Sequence, residues 1–111
     1  SKLCKLLSDQ GANVIIATIS MFQEIYTWNS NNIENYCEIF LDIPLEVLSQ
    51  RDTKQLYSSY YHGKTKNVVG LDITFDKPIR PQLVIDYDMQ KKNDTYGENL
   101  IFDILVKKGL T

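Results

Sequence analysis

Cys37-Glu38-Ile39-Phe40-Leu41-Asp42-Ile43 is followed at once by Pro44 and then by Leu45-Glu46-Val47-Leu48. Apolar residues fall on both sides of the first run, so it reads as a strand covered on both faces. Proline lacks an N–H and is tolerated in the first turn of a helix, so Pro44 opens a helix that runs from Leu45 to about Gln50. A covered strand that feeds directly into a helix is the unit of a parallel α/β layer.

On either side of this unit the alternation continues. Upstream, Ser1 to Gln10 places Leu3, Leu6 and Leu7 on one face of a short amphipathic helix, which Gly11 stops. Ala12 to Ser20 is a continuous β-branched run and predicts a second covered strand. Phe22 to about Tyr36 carries Ile25, Trp28 and Ile33 and predicts an irregular helix, weakened by Thr27 and by the polar cluster from Asn29 to Asn32. Downstream, Asp52 and Thr53 offer caps for a helix over Lys54 to Tyr61. Gly63 to Arg80 holds glycines, prolines and lysines and is expected to be an ordered loop. Leu83 to Tyr87 predicts a third strand. Asn93, Asp94 or Thr95 can cap a final helix through Lys107, with Leu100, Ile101, Ile104 and Leu105 inward and Gly109 ending it. Residues 1–111 are expected to form a single domain of α/β class. Three strands covered on both faces make a thin sheet, so more sheet is expected beside them.

Composition narrows the function. A chain of 111 residues suffices for one compact domain and is too short for two. A net charge of −2 argues against a nucleic-acid partner, which needs a basic face. No segment approaches the roughly 20 apolar residues of a membrane span, and the first residues carry no signal-peptide pattern. A cytoplasmic protein with no membrane attachment is therefore expected. Cys4 and Cys37 lack zinc-site spacing and are expected to be free, buried thiols. His62 is the only histidine, which discounts His–Ser and Cys–His catalysis; no metal site is expected among these residues.

Three stretches carry a resemblance to a known family. Leu6 to Gly11, followed by Val14 to Ser20, looks like a helix, glycine and strand ending in Ile19-Ser20. Glu38 to Val47 runs into Gln50-Arg51-Asp52-Thr53-Lys54 and Leu56-Tyr57, and is the most specific part because order and spacing agree over some twenty positions. Gly63, Lys66, Gly70, Asp72 and Pro78 fit a lid loop of the form Gly-x-x-Lys-Gly-Phe-Thr-Gly-Ile-Asp. Together they resemble the adenylylsulfate kinases (APS kinases), which phosphorylate the ribose 3′-hydroxyl of adenosine 5′-phosphosulfate with ATP. The resemblance implies a three-layer parallel sheet of the P-loop nucleoside triphosphate hydrolase type, with the N-terminal strands and the P-loop missing from this sequence. It implies ATP and Mg²⁺ as cofactors, with the Mg²⁺ ligands expected mainly in that missing half. The chain alone is expected to be inactive, since phosphoryl transfer depends on charge stabilisation and positioning. The sheet edge left uncovered favours a homo-dimer or pairing with another chain.

The resemblance also implies residue roles. Arg51 corresponds to an arginine that packs over the ATP adenine; the plain alternative is a surface arginine pairing with Asp52. Lys54 corresponds to a substrate-contacting lysine, or is a solvated helix lysine. Ile19 and Ser20 sit at a strand's carboxyl end, where the family binds substrate; Ser20 is a weak candidate for a catalytic role and otherwise a polar strand-end cap. Asn67 and Val68 occupy the substrate-binding Gly-Phe of the lid, and valine cannot stack on a base. Lys64 and Lys66 are the lid's cations. Tyr57, Tyr60 and Tyr61 are expected to be packing residues, and Asp42 to be structural. Met21 in place of a proline, Gln23, and Ser58 to His62 in place of a basic helix depart from the family pattern. Ile19-Ser20-Met21-Phe22 and Asn67-Val68-Val69-Gly70, with Phe75-Asp76-Lys77-Pro78, look like a branch found with bacterial capsule genes, which acts on cytidine diphosphoramidate. A non-catalytic nucleotide-binding or assembly module of the same descent is the alternative from a different class.

Overall fold

The computed structural model describes residues 1–19, 21–52, 54–87 and 95–109. The described elements, in chain order, are α1 (Lys2–Asp9), α2 (Gln23–Asn32), β1 (Ile39–Asp42), α3 (Leu45–Gln50), α4 (Leu56–Tyr61), β2 (Leu83–Asp86) and α5 (Tyr96–Lys107). β1 and β2 pair in parallel, with Ile39 opposite Leu83 and Asp42 opposite Asp86. A parallel pair needs a long crossover, and α3, α4 and the loop at 63–80 supply it. Pro44 stands at the N-cap of α3 with an extended ψ of 141°, so the chain turns from strand to helix within two residues.

α5 lies against β2. Ile85, in the middle of β2, is 2% exposed, and a Cβ placed on Gly97 in the first turn of α5 would stand 3.6 Å from its Cδ1. That is ordinary van der Waals contact, so helix and strand meet at Gly97 without requiring glycine there. The half-buried residues of α5 include Leu100, Ile101, Ile104 and Leu105, on the face expected, while Phe102 and Val106 are exposed. At its end Lys108 Nζ donates to the Tyr36 carbonyl at 3.1 Å and ties α5 to the approach to β1.

Several expectations are corrected. The strand expected over Ala12 to Ser20 does not form. Residues 12–19 have no regular structure and are exposed, Ile15 by 89% and Ile19 by 66%; Ser20 lies outside the described residues. A strand is stable only beside another strand, and among the described residues β1 and β2 pair only with each other. The structure is thus α/β with a two-stranded parallel sheet in place of the expected three strands. α2 stops at Asn32, short of Tyr36, because Ile33 is extended and Asn35 takes a φ of 56°. α4 begins at Leu56, since Gln55 is left-handed at φ 53°. Thr95 takes the N-cap position of α5 without a side-chain cap hydrogen bond; Thr53, Asn93 and Asp94 lie outside the described residues. Cys4 and Cys37 are half-buried, not buried, because the layers beside them are thin.

Among the described residues only Val68 and Ile85 are fully buried apolar side chains. The chain exposes 8505 Å², whereas a compact monomer of this mass exposes about 6,300 Å². Its radius of gyration is 16.0 Å, against about 13 Å for a compact domain of this length. Among the described residues no helix is long and apolar enough to cross a membrane.

Candidate functional site at the carboxyl end of the sheet

Open parallel sheets bind ligands beyond the carboxyl ends of their strands. β1 ends there at Asp42, and β2 at Asp86, with Tyr87 immediately after. α3 delivers Arg51 to the same end. As the C-cap residue, Arg51 donates its backbone N–H to the Val47 and Leu48 carbonyls, and its guanidinium carbon lies 5.8 Å from the centre of the Tyr87 ring. That distance is within the range of a cation–π contact. A shallow depression of about 400 Å³ lies beside it, lined by Ser49, Gln50, Arg51, Asp52 and Ser58. Asp52 spends its carboxylate elsewhere: it accepts the Leu56 N–H at 2.6 Å and the Ser58 N–H at 2.9 Å, capping α4. Desolvation pushes this carboxyl up, but the N–H groups of Ser58, Leu56 and Tyr57 favour the ionised form and hold it below the usual carboxylate range. No Arg51–Asp52 ion pair forms among the described residues, so the surface-pair alternative for Arg51 is not the arrangement adopted.

The loop at 63–80 is ordered by its own backbone. Asn67 is left-handed at φ 61°, a region that asparagine tolerates better than most residues. The N–H groups of Asn67 and Val68 donate to the two oxygens of Asp72, at 2.8 and 2.6 Å. The Val68 carbonyl accepts N–H bonds from Leu71, Asp72 and Ile73, and Gly70, at φ 88°, donates to the Ile73 carbonyl at 2.9 Å. Val68 is 3% exposed, so its side chain is an anchor inside the loop and presents almost no surface to a ligand. Desolvation raises the Asp72 carboxyl, yet the Asn67 and Val68 N–H groups, with Lys66 nearby, bring it below the usual carboxylate range.

Two contacts tie this loop to the rest of the site. Asp76 donates its N–H to the Met21 carbonyl at 2.9 Å, and its carboxylate accepts the Gln23 N–H at 2.9 Å, which caps α2 from a distant part of the chain. Tyr26 Oη donates to the Asp76 carbonyl at 3.2 Å. Lys77 Nζ donates to both oxygens of Asp42 at 3.0 and 3.1 Å, giving Asp42 the structural role expected. The segment after Ile19, the end of β1 and the loop are thereby joined.

Of the residues singled out in the sequence, Arg51 stands at Tyr87, and Lys54, Lys64 and Lys66 are exposed. Asn67 and Val68 are brought together on Asp72, Ile19 is exposed, and Ser20 lies outside the described residues. Tyr57 and Tyr60 are half-buried, as packing residues are, and Tyr60 meets Tyr61 edge-on at 5.7 Å; Tyr61 itself is 66% exposed, so the packing role expected of it is not the arrangement adopted. Sequence reasoning misses Tyr87 as a site residue. Its one signal is an aromatic directly after a covered strand, at the end where ligands bind. Among the described residues no group of three or more His, Cys, Asp or Glu is placed to hold a metal ion. A second depression of about 220 Å³, with Tyr36, Glu38, Arg80 and Gln82 in its wall, lies at the amino ends of the strands.

A family model described as adenylylsulphate kinase matches residues 1–86. The chain is 49% identical over 78 residues to a cytidine diphosphoramidate kinase of Campylobacter jejuni, covering 70% of this chain and 46% of that protein. It is 30% identical over 98 residues to an adenylyl-sulfate kinase of Gloeothece citriformis, covering 88% and 56%. It is 33% identical over 93 residues to a probable adenylyl-sulfate kinase of Archaeoglobus fulgidus, covering 84% and 58%. The chain thus spans about half the length of these curated relatives. With the match running from α1 through β2 and its best-marked segment delivering Arg51 to the carboxyl end of the sheet, the chain belongs to the adenylylsulphate kinase family.

Proposed function

We propose that residues 1–111 form one unit, the C-terminal part of a P-loop kinase domain, and that the complete protein phosphorylates the ribose 3′-hydroxyl of a nucleotide. The observation that carries this reading is Arg51 against Tyr87 at the carboxyl end of the parallel sheet. The Arg51 guanidinium carbon lies 5.8 Å from the Tyr87 ring centre, and a planar guanidinium at this end of the sheet can stack on an adenine. When bound, ATP supplies the phosphoryl group. The part of this chain is to hold its adenine at Arg51 and to close the loop at 63–80 over the acceptor. Lys54, Lys64 and Lys66 are exposed cations for anionic groups, and Ile19, Ser20 and Asn67 are acceptor contacts. Val68, being buried, contributes through its backbone. No step runs through a metal held here; the Mg²⁺ ligands and the phosphate-cradling loop belong to the other half of the domain. The 111 residues alone are therefore inactive. The greater length of the relatives and the exposed apolar run at 12–19 support a fuller three-layer sheet, completed by the same polypeptide or by another chain.

A second reading of the acceptor is cytidine diphosphoramidate. Identity of 49% to a kinase of that name, against 30% and 33% to the adenylyl-sulfate kinases, favours it. A valine in place of a stacking aromatic in the loop points the same way. The test is turnover by the intact protein with ATP, with adenylylsulfate and cytidine diphosphoramidate in competition. A 3′-phosphorylated product from either supports the kinase, and the higher kcat/KM names the acceptor. ATP binding with turnover of neither would assign a non-catalytic nucleotide-binding module instead.

A further inference from the structure

Asp72 is exposed, and an exposed carboxylate has water for a partner; here both its oxygens are committed to adjacent backbone N–H groups, those of Asn67 and Val68. We propose that Asp72 is the positioning residue of the acceptor loop: by gripping these two N–H groups it fixes where the loop presents Asn67 and Lys66 to the acceptor nucleotide. This rests on the reading of the loop at 63–80 as the acceptor lid.

Three features make the grip decisive. Hydrogen bonds to an ionised acceptor are about twice as strong as neutral ones, and two of them on one carboxylate fix direction as well as distance. Asn67 sits at φ 61°, away from the regions that a free chain prefers, so something must hold it there. Finally, the loop has little else on that side. Val68 anchors it from within, and its carbonyl gathers the N–H groups of Leu71, Asp72 and Ile73. Among the described residues the loop's only ladder contact is the single bridge between Val69 and Ile73. Release of Asp72 leaves the Val68 anchor in place and frees Asn67 and Lys66 to swing about it. Asp72 acts through the loop and is not a catalytic residue.

The test uses the intact protein with Asp72→Asn and Asp72→Ala. Asparagine keeps the size but turns an N–H₂ toward one of the two N–H donors. The readouts are amide hydrogen exchange and steady-state kinetics with adenylylsulfate and with cytidine diphosphoramidate as acceptor, the one turned over being used, and with ATP varied separately. The expected result has two parts. The Asn67 and Val68 amides lose protection while the Ile85 amide in β2 keeps it. The acceptor KM rises about tenfold, with kcat and the ATP KM within about twofold of the parent. Unchanged protection at Val68 overturns the role of Asp72 and leaves the lid reading standing. Lost protection with an unchanged acceptor KM overturns the proposal the other way, by removing the loop from the acceptor site. If Asp72→Ala also loosens Ile85, Asp72→Asn decides, and loosening of Ile85 there too would make Asp72 a residue of the fold and refute the positioning role.

Discussion

Arg51 ends α3 with its guanidinium 5.8 Å from the centre of the Tyr87 ring. A cation–π contact is worth about 0.5–1 kcal/mol where exposed and about 2 kcal/mol where water is excluded, as it would be beneath a bound adenine. Arg51→Ala in the intact protein is expected to weaken ATP binding by about 1–2 kcal/mol. Titration calorimetry checks it, and unchanged affinity removes the adenine role. Tyr36 makes a different claim. Its hydroxyl donates to Glu38 at 2.7 Å, and burial, then that hydrogen bond, pushes its pKa up from 10.0 to about 12. The folded state therefore favours the neutral phenol. That contribution is whole below pH 10 and is lost as pH rises toward 12. In a spectrophotometric titration, Tyr36→Phe is expected to remove a phenol that ionises late; loss of an early one would contradict the geometry. Arg51 is legible in the sequence because its neighbours from Gln50 to Tyr57 mark it. Tyr87 is not, since nothing local says that a residue 36 positions away will lie beneath a guanidinium.

Among the elements, α2 and the loop at 63–80 depend on each other. α2 has Phe22 at its N-cap, a residue without a capping oxygen, and Asp76 supplies the acceptor for the Gln23 N–H from across the chain. Asp76→Ala is expected to cost about 1 kcal/mol, the usual loss for an N-cap. Urea unfolding of the intact protein measures it, and an unchanged midpoint would show that water replaces the carboxylate at no cost. Sequence patterning locates both elements but cannot join them, because a cap drawn from 53 residues away leaves no local pattern. The helices α1 and α3 are legible nearly to the residue, from their apolar spacing, Gly11 and Pro44. The start of α4 is not, because the left-handed turn at Gln55 is not a feature that glutamine advertises. In the loop, position alone offers Val68 to substrate, and folding buries it.

For the whole molecule, exposed surface outweighs the core. The 8505 Å² exposed exceed the expectation for a compact chain by about a third, and large apolar side chains are among the exposed residues, from Leu3, Leu6 and Leu7 through Ile15, Ile16 and Ile19. The 111-residue chain alone is expected to bind a hydrophobic dye and to unfold in urea with a shallow, weakly cooperative transition. A steep transition without dye binding would show that the exposed run finds cover within the chain. The sequence by itself determined the alternation of helix and strand, the parallel α/β class and the family, because each is written in local periodicity, turn chemistry and a spaced signature. Only the tertiary structure decided that Ala12 to Ile19 stays out of the sheet, that Val68 turns inward, and that Arg51 meets Tyr87. Pairing, burial and ring contacts depend on which distant residues arrive, and a strand-forming run becomes a strand only when a neighbour offers its backbone.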